Sequence, residues 1–150
     1  ALSRQVLPVV TTPAQVPGIA RGGYVLLDAP AGQPPRAVII GTGSELQFAL
    51  KAQALLAGEG VPVRVVSMPC TNVFDRQDAA YQQGVLPRKL PAVAVEAAQP
   101  DFWRKYVGRE GAVVGVASFG ESAPASDLYP HFGITAEAVA NAVRNVLARD

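Results

Sequence analysis

The 150 residues hold one cysteine, one methionine, one histidine and one tryptophan, and each scarcity removes a class of chemistry. Cys70 alone closes no internal disulfide and makes no zinc site. It follows Pro69 at the end of an apolar stretch and reads as a small buried packing residue. His131 stands between Pro130 and Phe132 with no serine or cysteine nucleophile paired to it, so it reads as a packed or surface side chain rather than a catalytic base. Charge of one sign is also missing. Lys and Arg number 13 against 12 Asp and Glu, and they are scattered, which leaves no electrostatic footprint for nucleic acid or an anionic membrane. The longest apolar runs, AVII and AVAV, are strand-sized and far below the roughly 18 residues of a membrane span. No signal-like segment opens the chain, and with the lone cysteine this favours a reducing cytoplasm. The chain begins at Ala1 and its sole methionine is Met68, so a fragment, a processed chain or a trimmed piece is expected.

What is present is a soluble globular composition, 49% hydrophobic and 17% charged, of a length that suits one domain with a buried core. Pro8, Pro13, Pro17 and Gly18 interrupt helix and strand alike over the first 23 residues, which read as an interdomain linker arm before a domain over 24–150. Tyr24 to Leu27 and Ala37 to Ile40 read as two strands joined by a Pro- and Gly-rich turn, the first at a sheet edge. Strands and helices then alternate: helix from Ser44 to Ala57, strand Val63 to Ser67, helix Asp75 to Gln82, strand Ala92 to Val95. Such alternation predicts an α/β fold, a mainly parallel sheet covered by helices on both faces. Phe48, Ala49, Ala52, Leu55 and Leu56 share one side of the first long helix. A short helix after Pro100, a strand over Ala112 to Val116 and a closing amphipathic helix complete the pattern. In that last helix Thr135 is the N-cap and Val139, Val143, Val146 and Leu147 form the core stripe.

The most enzyme-like string is Gly41-Thr42-Gly43-Ser44-Glu45, placed between a strand and a helix where backbone N–H groups can cradle a phosphate. It lacks the third glycine of a dinucleotide fingerprint and the Lys-Ser/Thr pair of a P-loop. Ser44 with Gln47 three residues on also reads as a capping box, and Glu45 would repel an anion. A helix cap and an anion site at Gly41, Thr42, Gly43 and Ser44 are thus both open, the cap favoured. Glu96 ends the strand AVAV and Glu121 sits in the Gly-rich turn SFGES after the last strand, at the end of the sheet where parallel α/β folds bind ligands, though a cap or interface contact is favoured for both. Phe102, Trp103 and Tyr106 have helical spacing and read as core or subunit contact.

Read as strings, LSRQ (2–5), GGYVL (22–26), IGTGSELQFAL (40–50), VVSMPCTNVFDRQDAAYQQGVLP (65–87), VAVEAA (93–98), WRKYVG (103–108) and SFGESAPA (118–125) resemble, in order, the C-terminal domain of transketolases. The fold and the GTGSE turn are shared with pyruvate dehydrogenase beta subunits and deoxyxylulose phosphate synthase. VSMP with FDRQDAAY points to transketolase proper. Physically that segment is structural, with Asp75 as a cap, Asp78 completing the first turn, and Phe74 and Tyr81 packing inward. The resemblance implies a three-layer α/β/α sandwich around a five-stranded mixed sheet, four strands parallel and one antiparallel.

It also implies a function for the whole enzyme: transfer of a two-carbon ketol unit between sugar phosphates in the pentose phosphate pathway. The family uses thiamine diphosphate and a divalent metal, Mg²⁺ or Ca²⁺, in a homodimer. The GDG motif that holds the diphosphate and metal in this family is absent from the sequence, so no cofactor, metal or catalytic residue is expected here, and the isolated chain should be inactive. Its expected part is assembly with the remaining transketolase domains. One functional residue carries over from the family, Arg4 of LSRQ, which belongs to the substrate-phosphate site; a guanidinium offers phosphate a planar fork of donors. The alternatives are the C-terminal part of a split transketolase, and a regulatory module binding phosphate or nucleotide at the Gly41 turn.

Overall fold

The strands AVIIG (Ala37–Gly41) and AVAV (Ala92–Val95) are buried at every position, the signature of strands covered on both faces. They lie side by side in the middle of the sheet. The computed structural model describes residues 5–149. Its five strands are β1 (Tyr24–Leu27), β2 (Ala37–Gly41), β3 (Val63–Ser67), β4 (Ala92–Val95) and β5 (Ala112–Val114), in the order β1-β3-β2-β4-β5. β2 pairs in parallel with both neighbours, Ile39 standing opposite Val65 on one side and Val93 on the other. β4 and β5 are also parallel, and β1 closes the other edge antiparallel to β3. The mixed five-stranded sheet expected from the resemblance is the one observed.

Alternation along these strands divides the core. Ile39, Val65, Val93 and Val95 face α2 (Leu46–Gly58) and α7 (Ala136–Leu147), which supply Ala49, Ala52, Leu56, Val139 and Val143. Val38, Ile40, Val66 and Ala94 face the opposite layer, built from Phe74, Val85, Trp103 and Val107 of the segments 71–85 and 100–107. The chain therefore leaves β2 toward one face and β4 toward the other. Such divergence marks the carboxyl ends of neighbouring strands, where open α/β sheets bind ligands.

Several local expectations change. β1 and β2 are not neighbours; β3 lies between them, and the Pro- and Gly-rich residues 28–36 pass beside its start, where Arg36 N–H donates to Pro62 O at 2.8 Å. The single helix expected over 75–82 is two, α3 (Thr71–Phe74) and α4 (Ala79–Val85), and the cap of the second is Asp78, whose Oδ1 accepts from Tyr81 N–H at 2.8 Å. Asp75 caps no helix N-terminus; it ends α3, and its side chain accepts from Lys105 Nζ and Tyr106 OH. Pro17 and Gly18 do not prevent a short helix, α1 (Val16–Ala20), because proline in a first turn removes only an N–H that has no partner there. Leu55 is exposed rather than part of the packed face of α2. A helix unforeseen in the sequence, α6 (Ala125–His131), follows the SFGES turn and contains Pro130; α5 (Arg104–Val107) is the short one after Pro100. The closing helix is as read, with Thr135 Oγ accepting from Ala138 N–H at 3.1 Å and Val139, Val143 and Val146 buried. Leu147 is half-buried against the same core.

Candidate functional site

At the end of β2 the chain has no room for a side chain. A Cβ on Gly41 would lie 3.0 Å from Leu46 Cδ1 and 3.2 Å from Leu46 Cα, so glycine permits the close approach of strand and following helix. Gly43, at φ +53°, then turns the chain into one 3₁₀ turn (Gly43–Glu45) that leads into α2. Thr42 precedes the turn, so Ser44 lies inside it, and the capping box expected of Ser44 and Gln47 does not form. Gln47 Nε2 donates instead to the Ser44 backbone carbonyl at 3.0 Å. The Ser44 hydroxyl is turned toward its neighbour, Glu45.

Glu45 is buried, and its surroundings explain why a carboxylate can be. Tyr129 OH, from α6, lies 2.6 Å from Glu45 Oε1, and Ser44 Oγ lies 2.8 Å from the same oxygen. The two hydroxyls are 2.8 Å apart, so three oxygens share two protons, and the carboxylate receives what water would otherwise provide. Gln5 Nε2 completes the knot by donating to Tyr129 OH at 2.9 Å. The Tyr129 ring is seated edge-on against Phe48, with centroids 4.8 Å apart. Burial first, and then the hydrogen bond to Glu45, hold the Tyr129 phenol above its ordinary pKa, so it remains a donor at neutral pH.

Chemically, the turn is a poor seat for a phosphate. Glu45 Oε2 would lie 3.8 Å from a Cβ on Gly43, so an anion brought to the Gly43 and Ser44 N–H groups would face that carboxylate. Beside the knot, a cavity of about 440 Å³ opens between the segments after β4 and β5 and helix α6, with Ala98, Val116, Leu128 and Phe132 as apolar walls and Ser118 and Glu121 at its polar side.

The remaining sequence candidates are tied into the scaffold. Glu96, at the carboxyl end of β4, accepts from Trp103 Nε1–H at 2.7 Å and fastens the segment 100–107 to the strand. Trp103 is buried while Phe102 faces outward, with Tyr106 bonded to Asp75. His131 and Glu121 form an exposed pair at 3.2 Å. Cys70 is exposed, not buried, because it stands before α3, past the last strand residue whose alternation would have turned it inward. Arg4 lies outside the described residues. Among the described residues no three of His, Cys, Asp and Glu come together as a metal site, and no helix is long and apolar enough to cross a membrane.

Three contributors were not foreseen from the sequence: Gln5, Tyr129 and Arg21. The Arg21 guanidinium lies 3.3 Å from the Tyr81 ring centroid, and its Nε donates to Gln77 Oε1 at 3.0 Å. Tyr81 OH in turn donates to Gly23 O at 2.7 Å. The FDRQDAAY segment thus grips the chain where it enters β1.

Sheet order and the helices on both faces define a doubly wound α/β domain whose distinctive polar features are the Glu45 knot and the Arg21 grip. Residues 22–135 match the family described as the transketolase-like TK C-terminal domain, and the chain belongs to that family. It is similar to Transketolase 2 of Escherichia coli, 53% identical over 148 residues that make up 97% of this chain and 22% of that protein. A transketolase from Pichia stipitis superposes with a TM-score of 0.86 at 32% identity, covering 97% of this chain and 21% of that one. A split-gene transketolase described as an inactive beta4 tetramer superposes at 0.69 with 26% identity, over 97% of this chain and 48% of that one. The chain spans about a fifth of the length of the curated relatives it matches.

Proposed function

We propose that this chain is the C-terminal domain of a cytoplasmic, dimeric transketolase, which transfers a two-carbon ketol unit between sugar phosphates in the pentose phosphate pathway. The observation that carries this is 53% identity to a transketolase across 97% of the chain. Thiamine diphosphate, with its divalent metal, would supply the electron sink for that chemistry in the full enzyme. The described residues do not fit that group: no cluster of metal-ligating side chains is found among them, and the sequence has no GDG string. We therefore derive no chemical step in this domain, and the isolated chain is inactive in this reading. Its own contributions are assembly with the remaining domains and contact with the substrate phosphate through Arg4.

The phosphate is remote from the bond that breaks, so holding it serves affinity and the positioning of the reacting carbons. In the complete enzyme Arg4→Ala should lower kcat/KM for phosphorylated sugars by the equivalent of a charge-assisted hydrogen bond, about 1.5–3 kcal/mol. Most of the loss should appear in KM, and unphosphorylated substrates should be spared. Equal losses on both kinds of substrate would make Arg4 a structural residue of the domain junction. A second reading, the C-terminal part of a separately encoded subunit, draws on the likeness to the split-gene transketolase; an intact mass from native cells separates the two. A regulatory anion site at Gly41 to Ser44 is opposed by the Glu45 carboxylate in the same turn.

A further inference from the structure

We propose that the loop 117–124, which follows β5, and the cavity beside it form the face on which the remaining transketolase domains dock, and that the docked segment is apolar with a basic residue at its edge. This rests on the function proposed above, and adds to it a surface and the chemistry of what covers it.

The loop is exposed at every position, yet its composition is not that of a solvated loop. In the string ASFGESAP Glu121 is the sole charged residue, and Phe119 is 96% exposed. One exposed apolar side chain is ordinary on a protein surface, but this one has apolar company. Ser118 and Gly120, on either side of it, line the cavity of about 440 Å³ whose walls include Ala98, Val116, Leu128 and Phe132. A projecting ring beside an apolar hollow is a relief that a second protein surface can match. A small molecule lodged in the hollow would leave the ring in water.

The backbone points the same way. Val116 N–H donates to Ala98 O at 3.0 Å before the loop, and Asp127 N–H donates to Pro124 O at 3.0 Å after it. Between them, among the described residues, no backbone N–H or C=O of 117–123 has a partner within the domain. The hydrogen bond that the loop does make is the exposed contact of Glu121 with His131. Backbone groups that are covered by protein are almost always paired, so this stretch offers a docking chain a run of ready donors and acceptors.

Charge selects the occupant. Glu121 is the only charged residue lining the cavity, Asp127 follows it, and no Lys or Arg occurs between Arg109 and Arg144. Such a face repels an anionic sugar phosphate and is complemented by Lys or Arg. The occupant comes from the polypeptide outside this domain, since the chain matches only 22% of Transketolase 2 of Escherichia coli and the rest of such an enzyme has to meet the domain somewhere on its surface. A stable interface takes about 800 Å² from each partner, which the loop and cavity would supply together as its centre.

The test uses the complete enzyme with Phe119 replaced by the photo-cross-linking residue p-benzoylphenylalanine, which keeps an aromatic ring at the tip of the loop. Irradiation and peptide mapping should join position 119 to a peptide outside residues 1–150. A cross-link into residues 1–150 of the same or a second copy, or none at all, would overturn the inference. A second measurement does not depend on that replacement. Ser118→Cys, combined with Cys70→Ser to remove the native thiol, should react with a thiol reagent at least about tenfold more slowly in the native enzyme than in urea, because the face must first open. Labelling at the unfolded rate would show the loop in water and refute docking there. Adding Glu121→Lys should speed the native labelling by up to about fivefold, the effect of one ion pair at an interface rim, and Glu121→Gln by less. Equal rates for the two would remove the basic partner. Ketol transfer by the parent enzyme is assayed alongside: an active enzyme whose cross-link fails overturns only the docking face, whereas an enzyme without ketol transfer overturns the proposed function.

Discussion

Glu45 offers a direct measurement of what the knot contributes to stability. Its Oε1 accepts two hydroxyl donors, at 2.6 Å from Tyr129 and 2.8 Å from Ser44, in a residue only 6% exposed. Hydrogen bonds to a charged group contribute about 1.5–3 kcal/mol each, but keeping a carboxylate from water costs several kcal/mol, so the two largely offset. What Glu45→Ala leaves behind decides the result. The Tyr129 hydroxyl can still donate to Ser44 Oγ, 2.8 Å away, whereas the Ser44 proton loses its acceptor, at a cost of about 1–3 kcal/mol. Glu45→Gln keeps the shape and one acceptor oxygen while losing the charge assistance and the desolvation cost together, so it should lie within about 1 kcal/mol of wild type. Urea unfolding followed by tryptophan fluorescence suits the measurement, since Trp103 is the sole tryptophan and is 1% exposed. Once Glu45 is alanine, adding Ser44→Ala should cost little or restore stability, because it removes the stranded donor. Glu45→Ala at wild-type stability, or strict additivity with Ser44→Ala, would refute the account of three oxygens sharing two protons.

Two further outcomes follow from the scaffold. Arg64 donates to both oxygens of Asp28, at 3.0 and 2.8 Å, and this hydrogen bonding holds the Asp28 carboxyl below its ordinary pKa. A depressed carboxylate contributes stability that is present above its unfolded pKa near about 3.9 and is lost as pH falls through the folded value. Asp28→Asn should therefore flatten the acid limb of stability below about pH 4, by less than about 1 kcal/mol because the pair is partly exposed; an unchanged pH profile would contradict this. Cys70 is exposed, so a thiol reagent should label it stoichiometrically in native buffer, and labelling that required denaturant would contradict the exposure.

The parts of the fold legible in the sequence are those whose cause is local. AVII and AVAV announce buried strands because a run of apolar residues has no solvent face to alternate with. Thr135 and the Val139, Val143, Val146 stripe announce α7 because capping and a 3.6-residue period act within a few turns. Where local rules offered two equivalent solutions, the sequence reading chose wrongly. Asp75 and Asp78 are both good caps, and Lys105 with Tyr106, brought alongside by the tertiary fold, takes the first of them. Ser44 and Gln47 have the spacing of a capping box, but the Glu45 carboxylate, retained in the interior by Tyr129, takes the serine hydroxyl.

The candidate site itself depends almost wholly on contacts at long separation. Tyr129 meets Glu45 across 84 residues and Gln5 across 124, and nothing in the string near Tyr129 marks it out, since a tyrosine beside a proline is an ordinary surface residue in either setting. By itself the sequence determined the layered α/β class, the family and the strand-to-helix turn at Gly41, all of which follow from short-range pattern. Only the tertiary structure decided that β3 separates β1 from β2, that Cys70 faces outward, and that the arm and α6 meet on a buried carboxylate. The physical reason is that a hydrogen bond's geometry is set by where whole elements pack, and packing is a property of the closed core rather than of any segment within it.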